Sequence, residues 1–476
     1  MDKIDRILGK VDDFVWGLPL IILILATGIY LTLRLKGVQF RKLGHGLKSM
    51  FSKEKGVDGE VSSFGALCTA LSATIGTGNI VGVATAIVAG GPGALFWMWL
   101  AALVGMATKY AECLLAVKYR KVADDGHVVG GPFYYIENGM GPKWKWLAKI
   151  FAVFGVGVGL LGIGTFTQVN GISNATKTFF DPDGANVVRI FGADVPVTSI
   201  ITAVVITACV ALVLIGGIKR ISSVAQVIVP FMAITYVLFS LTIIILNIKA
   251  VPGAFKIIFD GAFNPSAVTG GAVGSIIVVM QKGIARGIFS NEAGLGSAPI
   301  AAAAANTNEP ARQGLVSMLG TFFDTIIICT MTGLTIVITG SWNMGLDGYA
   351  VTEKAFGIGL PFPETISSFI LMVCLIFFAF TTILGWNYYS ERCLEYLTNG
   401  NNKVVKGYRI IYILCVFFGP FMTIKAVWTI ADIFNGLMAI PNLVALIALS
   451  GVVALETGKY ITKLKEIKKS KKEEIS

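Results

Sequence analysis

The chain has 476 residues, of which 55% are hydrophobic and only 14% are charged. A soluble globular domain carries about 25% charged residues, and the mean hydropathy here is +0.75. This composition excludes a soluble globular enzyme, and the lack of low-complexity or collagen-like sequence excludes a disordered or fibrous chain. We therefore expect a protein that crosses the bilayer several times, because each helix needs about 20 mostly apolar residues to cross.

Metal, disulfide and nucleophile chemistry have little support. The seven cysteines are an odd number without a CxxC pair, and five of them fall in or beside apolar runs, where cysteine behaves as a small hydrophobe. The only two histidines, His45 and His127, lie far apart in polar segments. The first thirteen residues hold seven charges, and the apolar run after Trp16 has no small-residue cleavage site, so we expect a retained span and not a signal peptide.

Eleven apolar segments are long enough to span, and we expect them to be helices because lipid cannot satisfy free backbone polar groups. They cover residues 16–34, 64–89, 94–117, 147–172, 196–216, 222–247, 269–289, 313–340, 366–391, 409–424 and 427–456.

The basic residues predict the orientation. With the N-terminus outside, the inner segments hold 28 Lys and Arg and the outer segments hold 9, with Lys109 and Lys282 inside spans. This bias predicts an N-out, C-in topology. The net charge of +11 therefore indicates a cytoplasmic membrane face and a lipid-bilayer partner, and no nucleic acid.

The basic tail from 457 lies on anionic lipid or is simply solvated. The long outer loop 341–365 is expected to form a partly helical cap, and the inner stretch 286–314 to pack against protein.

One span is interrupted near its middle by Gly76, Thr77, Gly78 and Asn79. Glycine is a poor helix former, so unwinding is cheap there. Unwound backbone at membrane depth is tolerated only where it is buried in protein or lines a cavity, and its free amides and carbonyls suit a carboxylate and a cation. The alternative is a simple kink or a close helix crossing. A nucleotide-binding glycine loop is excluded because it needs a soluble strand before it.

A second span is interrupted by Gln281, Lys282 and Gly283. Both interrupted segments open with a glycine–alanine pair, and each begins a run of five spans. Five spans per run force the second run to be inverted, and interrupted segments at matching positions indicate a transporter site. We predict an all-α membrane protein with 5+5 inverted repeats and one extra N-terminal helix. The predicted divisions are 1–60 (peripheral helix and basic loop), 61–250 and 251–456 (the repeats), and 457–476 (cytoplasmic tail).

Other polar residues inside spans narrow the site. Gln168 is costly in hydrocarbon and is a substrate-contact candidate, or else it makes an interhelical hydrogen bond. Asp324 is an ion ligand, a partner of Lys282 or a titrating gate, because an intramembrane carboxylate is functional by default. The hydroxyls of Thr381 and Thr382 complete an oxygen cage for Na+, or bond to the preceding turn. Three aromatic residues, Phe166, Phe289 and Trp386, wall a small pocket or only pack.

Three long motifs resemble the alanine/glycine:cation symporter family. They are ATIGTGNIVGVATAI followed by GGPGALFWMW, then GGPFYYIENGMG, and RGIFSNEAGLGSAP. The resemblance extends from about residue 10 to 456. It implies sodium-coupled uptake of alanine or glycine, with Na+ as the co-transported ion, and the leucine-transporter fold.

The resemblance also implies roles for single residues. Through the glycine–asparagine break of the more distant leucine transporter, the amides of Thr77 and Gly78 would take the substrate carboxylate. The carbonyl of Thr74 and the side chain of Asn79 would match its first sodium site. The carbonyls of Ser72 and Ile75 with Thr381 and Thr382 would match its second site, which we favour because the family is expected to couple to one cation.

The expected function is therefore secondary active symport of a small neutral amino acid with Na+, by alternating access. The rivals are a related carrier for a nucleobase or betaine, a channel, and, more remotely, a membrane enzyme. A channel needs a continuous polar pore lining, whereas these spans carry only scattered polar groups. No catalytic cluster supports an enzyme, and no oligomer is implied.

Overall fold

A computed structural model describes residues 2–52, 54, 57–122, 127–190, 193–269, 275–421 and 424–473. These residues form helices and two short antiparallel hairpins. The first-half helices are α1 (Asp2–Val15), α2 (Leu18–Arg34), α3 (Val38–Arg41), α4 (Leu43–Phe51), α5 (Ser63–Thr74), α6 (Val83–Gly90), α7 (Ala94–Lys118), α8 (Pro132–Tyr134), α9 (Lys145–Leu161), α10 (Phe166–Phe180), α11 (Val197–Leu214) and α12 (Gly217–Leu246).

The second half is also helical. It contains α13 (Val251–Phe263), α14 (Pro265–Thr269), α15 (Ile276–Asn291), α16 (Ala298–Ala303), α17 (Pro310–Ser317), α18 (Leu319–Thr321), α19 (Thr330–Thr339), α20 (Tyr349–Gly359), α21 (Glu364–Leu397), α22 (Asn402–Phe418), α23 (Ile424–Ala448) and α24 (Ser450–Glu473). The hairpins pair β1 (Lys121–Val122) with β2 (Val128–Val129) and β3 (Val187–Ile190) with β4 (Ala193–Pro196).

The predicted spans are helical. Among the described residues, nine helices are long and apolar enough to cross a membrane, and the pair Ser63–Thr74 and Gly78–Gly90, bent by 54°, makes a tenth. The remaining predicted span, 269–289, coincides from Ile276 onward with α15, and its opening glycine–alanine pair at 271–272 lies outside the described residues. We use "outer" for the side that the basic residues predict to be extracellular; the cap expected there over 341–365 contains the helix α20.

Glycines in the span at 147–172 let the central helices approach closely. A side chain on Gly155 would lie 2.5 Å from Sγ of Cys393, and one on Gly159 would lie 2.4 Å from Cβ of Ser390. Both contacts join α9 to α21. On α21 itself, a side chain on Gly385 would meet Ala73 of α5 at 2.7 Å. The helix α21 therefore lies against the first interrupted span.

The second interruption does not lie where the sequence predicted it. Gln281, Lys282 and Gly283 belong to the continuous helix α15, which ends at Asn291. The chain breaks instead over 292–297, where Glu292 has a φ of +57°, Gly294 of +93° and Gly296 of +80°. The run of left-handed residues interrupts the helix, whereas one glycine between Lys282 and Ile284 does not. The stretch 286–314, predicted as an inner loop, therefore starts inside the bundle, and Arg286 is not an inner-loop residue.

Candidate functional site

The first break lies where the sequence predicted it. The helix α5 ends at Thr74, Ile75 is extended (φ −77°, ψ 93°), and a π-helical turn resumes at Gly78–Gly82. The side chain of Asn79 reaches back, so that its Oδ1 accepts a hydrogen bond of 2.9 Å from the amide of Gly76. The amide of Thr77 donates to Oε1 of Gln168 at 3.2 Å. Gln168 thus makes an interhelical hydrogen bond to the break itself.

Gly76 is required by space. A Cβ atom there would lie 2.5 Å from Oγ1 of Thr382 and 3.1 Å from Oε1 of Gln168. Contacts under 3.0 Å demand that a neighbour move, and both neighbours are buried polar groups. The missing side chain therefore brings α10 and α21 to the same unwound residue.

The two adjacent threonines of α21 differ in what they face. The hydroxyl of Thr382 donates to the carbonyl of Ile75 at 3.3 Å and to that of Phe378 at 3.0 Å. The hydroxyl of Thr381 donates to Phe377 and Phe378 within its own helix and contacts the sulfur of Met232. Of the four groups predicted to hold the cation, Thr382 and the Ile75 carbonyl are therefore two that contact each other directly. Ser72 of α5 bonds to its own helix at Thr69.

Asp324 accepts hydrogen bonds from both broken spans. Its Oδ1 accepts from Nδ2 of Asn79 at 2.7 Å, and its Oδ2 accepts from Ser290 at 2.9 Å and from Thr325 at 2.7 Å. Asn79 follows the first break and Ser290 precedes the second. The fully buried carboxylate therefore contacts both spans. The prediction that Lys282 pairs with Asp324 has no support in these contacts.

The second break is held by two buried carboxylates. Glu292 accepts a hydrogen bond of 2.8 Å from the indole of Trp386 and one of 2.5 Å from Ser297. Glu112 of α7 accepts from the amide of Gly294 at 3.0 Å and from Nδ2 of Asn442 at 2.6 Å. These contacts give the free amide of Gly294 a hydrogen-bond acceptor. They also hold the residues of the break in their left-handed conformation.

A buried lysine lies near these acids. Lys109 of α7 is 1% exposed and interacts electrostatically with Glu112, Glu292 and Asp324. In the part of the chain that the structure describes, its Nζ has no hydrogen-bond partner. Lys109 therefore offsets part of the negative charge of the buried acids without pairing with any one of them.

An outer cavity of about 540 Å³ reaches the first break. It is lined by Thr77 at the break, by residues of α6 and α10, by the cap residues Asp347 and Tyr349, and by the charged residues Asp12, Arg286 and Asp432. The hydroxyl of Thr77 is buried, and no partner for it lies among the described residues. The first break is thus approached from the outer side.

The inner side is closed by main-chain contacts. The amides of Glu60 and Val61 donate to the carbonyl of Ala304, and the amide of Asn306 donates to Val61 at 2.7 Å. The guanidinium of Arg120 donates to four carbonyls at 2.7–2.9 Å; they belong to Asp58, Ala303, Ala305 and Thr307. The segments below the two breaks are therefore fastened to each other and to the end of α7.

An ion-pair cluster lies beside this closure. His127 contacts Glu60 at 2.9 Å through Nδ1 and Glu395 at 3.6 Å through Nε2. Burial acts to raise the pKa of the Glu60 carboxyl, but hydrogen bonds from His127 and from the amide of Val128 outweigh it and hold that pKa below its usual range. The folded chain therefore favours the ionised form of Glu60.

The remaining predicted residues lie at different depths. Trp386 contacts the second break, as described. Phe166 is buried next to Gly419. Gln281 lines a smaller outer cavity of about 120 Å³ with Lys282 and Asp12. Gly283 is a packing position, because a side chain there would lie 2.3 Å from the carbonyl of Ala94 on α7.

Sequence reasoning missed Glu112, Glu292 and Ser290. Glu112 lies within a predicted span with Lys109, and this intramembrane pair was a sufficient signal. Glu292 and Ser290 were assigned to an inner stretch packed against protein, so their burial agrees with the prediction, but their position at a break inside the bundle was missed because the break was placed at 281–283.

The chain is similar in sequence to known transporters. A sequence profile described as "Sodium:alanine symporter family" matches residues 1–474. An uncharacterized transporter of Haemophilus influenzae is 57% identical over 464 residues, covering 97% of each chain. The sodium/alanine symporter AgcS of Methanococcus maripaludis is 47% identical over 459 residues, covering 95% of this chain and 96% of that one.

The fold matches a solved transporter. The crystal structure of MhsT in complex with L-phenylalanine has a TM-score of 0.56 to this chain at 13% identity and covers 84% of this chain and 99% of that one. The predicted fold class, a leucine-transporter-like helical bundle with discontinuous helices, is therefore confirmed.

Proposed function

Because the chain belongs to the sodium:alanine symporter family, it is a multi-pass membrane transporter that couples an amino acid to Na+, and we propose that it carries alanine, and also glycine, into the cell. The enclosure of the first break supports a small substrate. A side chain on Gly171 would lie 2.7 Å from Cγ2 of Thr77, so α10 approaches the break closely, and the ring of Phe289 lies at ordinary contact distance, 3.5 Å, from a side chain placed on Gly78. The break is therefore bordered on these two sides, which favours a substrate with a small side chain.

The carboxylate of the substrate would bind the amides of Thr77 and Gly78. An unwound helix presents such amides with the positive end of its dipole. Gln168 now accepts from the Thr77 amide with a carbonyl oxygen, which is the type of acceptor that a carboxylate would replace. The buried hydroxyl of Thr77 lines the same cavity and would donate to the substrate as well.

Sodium would bind on the other side of the break. The carbonyls of Ser72 and Ile75 with the hydroxyl of Thr382 supply neutral oxygens, which suit a hard monovalent cation. Thr381 would have to turn from its own helix to join them. Thr74, Asn79 and Asp324 are a second candidate group, in which Asp324 would supply the charge or act as a gate.

Transport would proceed by alternating access. The outer cavity reaches Thr77, while the contacts of Arg120 close the inner side. Binding of Na+ and substrate at the break would lower the free energy of the occluded state, and linkage makes each ligand favour the other. The N-out, C-in orientation and the division into repeats at residues 61–250 and 251–456 belong to this proposal.

Uptake by purified protein in proteoliposomes tests the proposal. With Na+ outside and none inside, labelled alanine should accumulate above its equilibrium concentration, and unlabelled glycine should compete. Collapse of the Na+ gradient should stop accumulation. Accumulation of betaine or a nucleobase in place of alanine would show that the proposed substrate is wrong. Entry of alanine that never exceeds its equilibrium concentration would indicate a channel.

A further inference from the structure

Three charged residues from three helices surround the outer cavity above the first break. They are Asp12 of α1, Arg286 of α15 and Asp432 of α23, and we call them the charged rim. Nη2 of Arg286 lies 3.4 Å from Oδ2 of Asp432. The guanidinium also lies over the ring of Phe289, 5.4 Å from its centroid. Arg286 is therefore held in place at the rim by an acid and an aromatic ring.

The N-terminal helix α1 is fixed at this rim. The indole of Trp16, just after α1, donates to the carbonyl of Asp432 at 2.8 Å. A side chain on Gly436 of α23 would lie 2.4 Å from Val15 and 3.2 Å from the Trp16 indole nitrogen, which shows how closely α1 approaches α23. This packing positions Asp12 beside Asp432 and Arg286.

Asp12 has unused hydrogen-bonding capacity. Its Oδ1 is a buried atom, and no donor for it lies among the described residues. An acceptor buried without a donor costs free energy, so such an atom at a cavity wall indicates a ligand that supplies the donor. Asp13, the next residue, is exposed and does not line the larger cavity.

We propose that the charged rim is a second binding site, which captures the zwitterion of an α-amino acid before it reaches the first break. Asp12 accepts hydrogen bonds from the ammonium group, and Arg286 donates to the carboxylate as it exchanges Asp432 for the substrate. This proposal rests on the proposed transport of alanine. The substrate would occupy the charged rim first and the first break second.

The rim carries both signs of charge. The guanidinium of Arg286 attracts a carboxylate, and the carboxylates of Asp12, Asp432 and the nearby Asp347 attract an ammonium group and repel a bare anion. A zwitterion satisfies both signs at once. The cavity of about 540 Å³ connects the rim to Thr77, so a captured amino acid reaches the break without leaving the protein.

The test compares Asp12→Asn with the matched control Asp13→Asn in proteoliposomes loaded for Na+-driven uptake. Loss of a charge-assisted contact at a capture site should raise the KM for alanine about tenfold in Asp12→Asn, with kcat and the half-saturating Na+ concentration unchanged. Asp13→Asn should behave as wild type. Arg286→Gln should raise KM in the same way, and Arg286→Lys, which keeps the charge, should raise it less.

The possible results separate this proposal from the transport function. Equal KM values in Asp12→Asn and Asp13→Asn would overturn the rim site, as would a loss of kcat at unchanged KM. If Asp12→Asn fails to yield folded protein on gel filtration, the comparison of Arg286→Lys with Arg286→Gln decides, and equal KM values in that pair overturn the site. Failure of the wild type to accumulate alanine would instead refute the transport proposal.

Discussion

At the residue scale, the site depends on the absence of a side chain at one position of the break. Gly76 lets Thr382 and Gln168 meet the same unwound residue. Thr381 and Thr382 are adjacent, yet only Thr382 contacts the break. Chemical identity alone could not separate these two hydroxyls, because neighbouring residues on a helix point about 100° apart and the sequence does not say which one faces α5.

Gly76→Ala tests the close approach. We expect Na+-dependent alanine uptake to be lost, because the new methyl group would displace Thr382 or Gln168, whereas folding should persist in gel filtration. Gly82→Ala is the matched control in the same span, since nothing lies within 4 Å of its added methyl group. Similar uptake by the two variants would show that the approach at Gly76 is not needed.

Thr382→Ala and Thr381→Ala test the cation position. Removal of the hydroxyl at 382 should raise the half-saturating Na+ concentration about tenfold, as expected for loss of one ligand worth about 1–1.5 kcal/mol. Thr381→Ala should have a smaller effect because its hydroxyl bonds to its own helix. The measurement is alanine uptake against Na+ concentration. Wild-type Na+ dependence in Thr382→Ala would remove that residue from the site.

At the element scale, the two interrupted spans differ in how well the sequence predicts the position of the break. The first break was predicted because two glycines interrupt an apolar run, and unwinding there follows from backbone propensity. The second was placed at 281–283, where polar residues face an outer cavity on an intact helix. The true break depends on left-handed residues stabilised by Glu112 and Trp386 from distant helices. Gly294 and Gly296 are a local signal for a turn, but the support from Glu112 and Trp386 cannot be read from neighbouring residues in the sequence.

Glu112→Ala tests this support from α7. It should leave the amide of Gly294 without its partner and Lys109 with less compensating charge. Each unpaired buried group costs about 1–3 kcal/mol, so the melting temperature in detergent should fall clearly. Glu112→Gln retains a carbonyl oxygen for the Gly294 amide and should lower it less. Equal melting temperatures for Glu112→Ala and wild type would contradict the role given to Glu112.

At the scale of the whole molecule, the chain is open toward the outer side and closed on the inner side. Composition and hydropathy predicted the bundle, its spans and the helical cap, because these follow from what lipid tolerates. They could not predict which side is closed, since that depends on contacts between segments far apart in sequence, such as Glu60 with Ala304.

Arg120→Ala tests the inner closure. Loss of its carbonyl contacts should favour opening to the inner side, so a cysteine introduced as Ala304→Cys should react faster with a water-soluble thiol reagent applied from that side. Lys121→Ala is the matched control, because Lys121 is exposed and lies over the ring of Tyr134. An unchanged labelling rate in Arg120→Ala would show that the closure does not depend on this guanidinium.

Acid should weaken the same closure through Glu60. Because the folded state lowers the pKa of this carboxyl, its stabilising contribution is complete above the usual value of about 4.5 and is lost as the pH falls through the folded-state pKa. As the pH is lowered from about 5 to about 3, the melting temperature of wild type should therefore fall more than that of Glu60→Gln. Parallel curves for the two proteins would contradict the prediction.

The inner closure also has a consequence for tolerance to mutation. Arg120 binds the carbonyl oxygens of four residues, and the strand-like contact of Val61 with Ala305 also uses main-chain atoms. Main-chain acceptors are present whatever the side chain is. In a saturation mutagenesis library selected for growth on alanine, Asp58, whose side chain is exposed, should therefore accept more replacements than Arg120. One cation can keep the two segments together while the residues that it holds are exchanged.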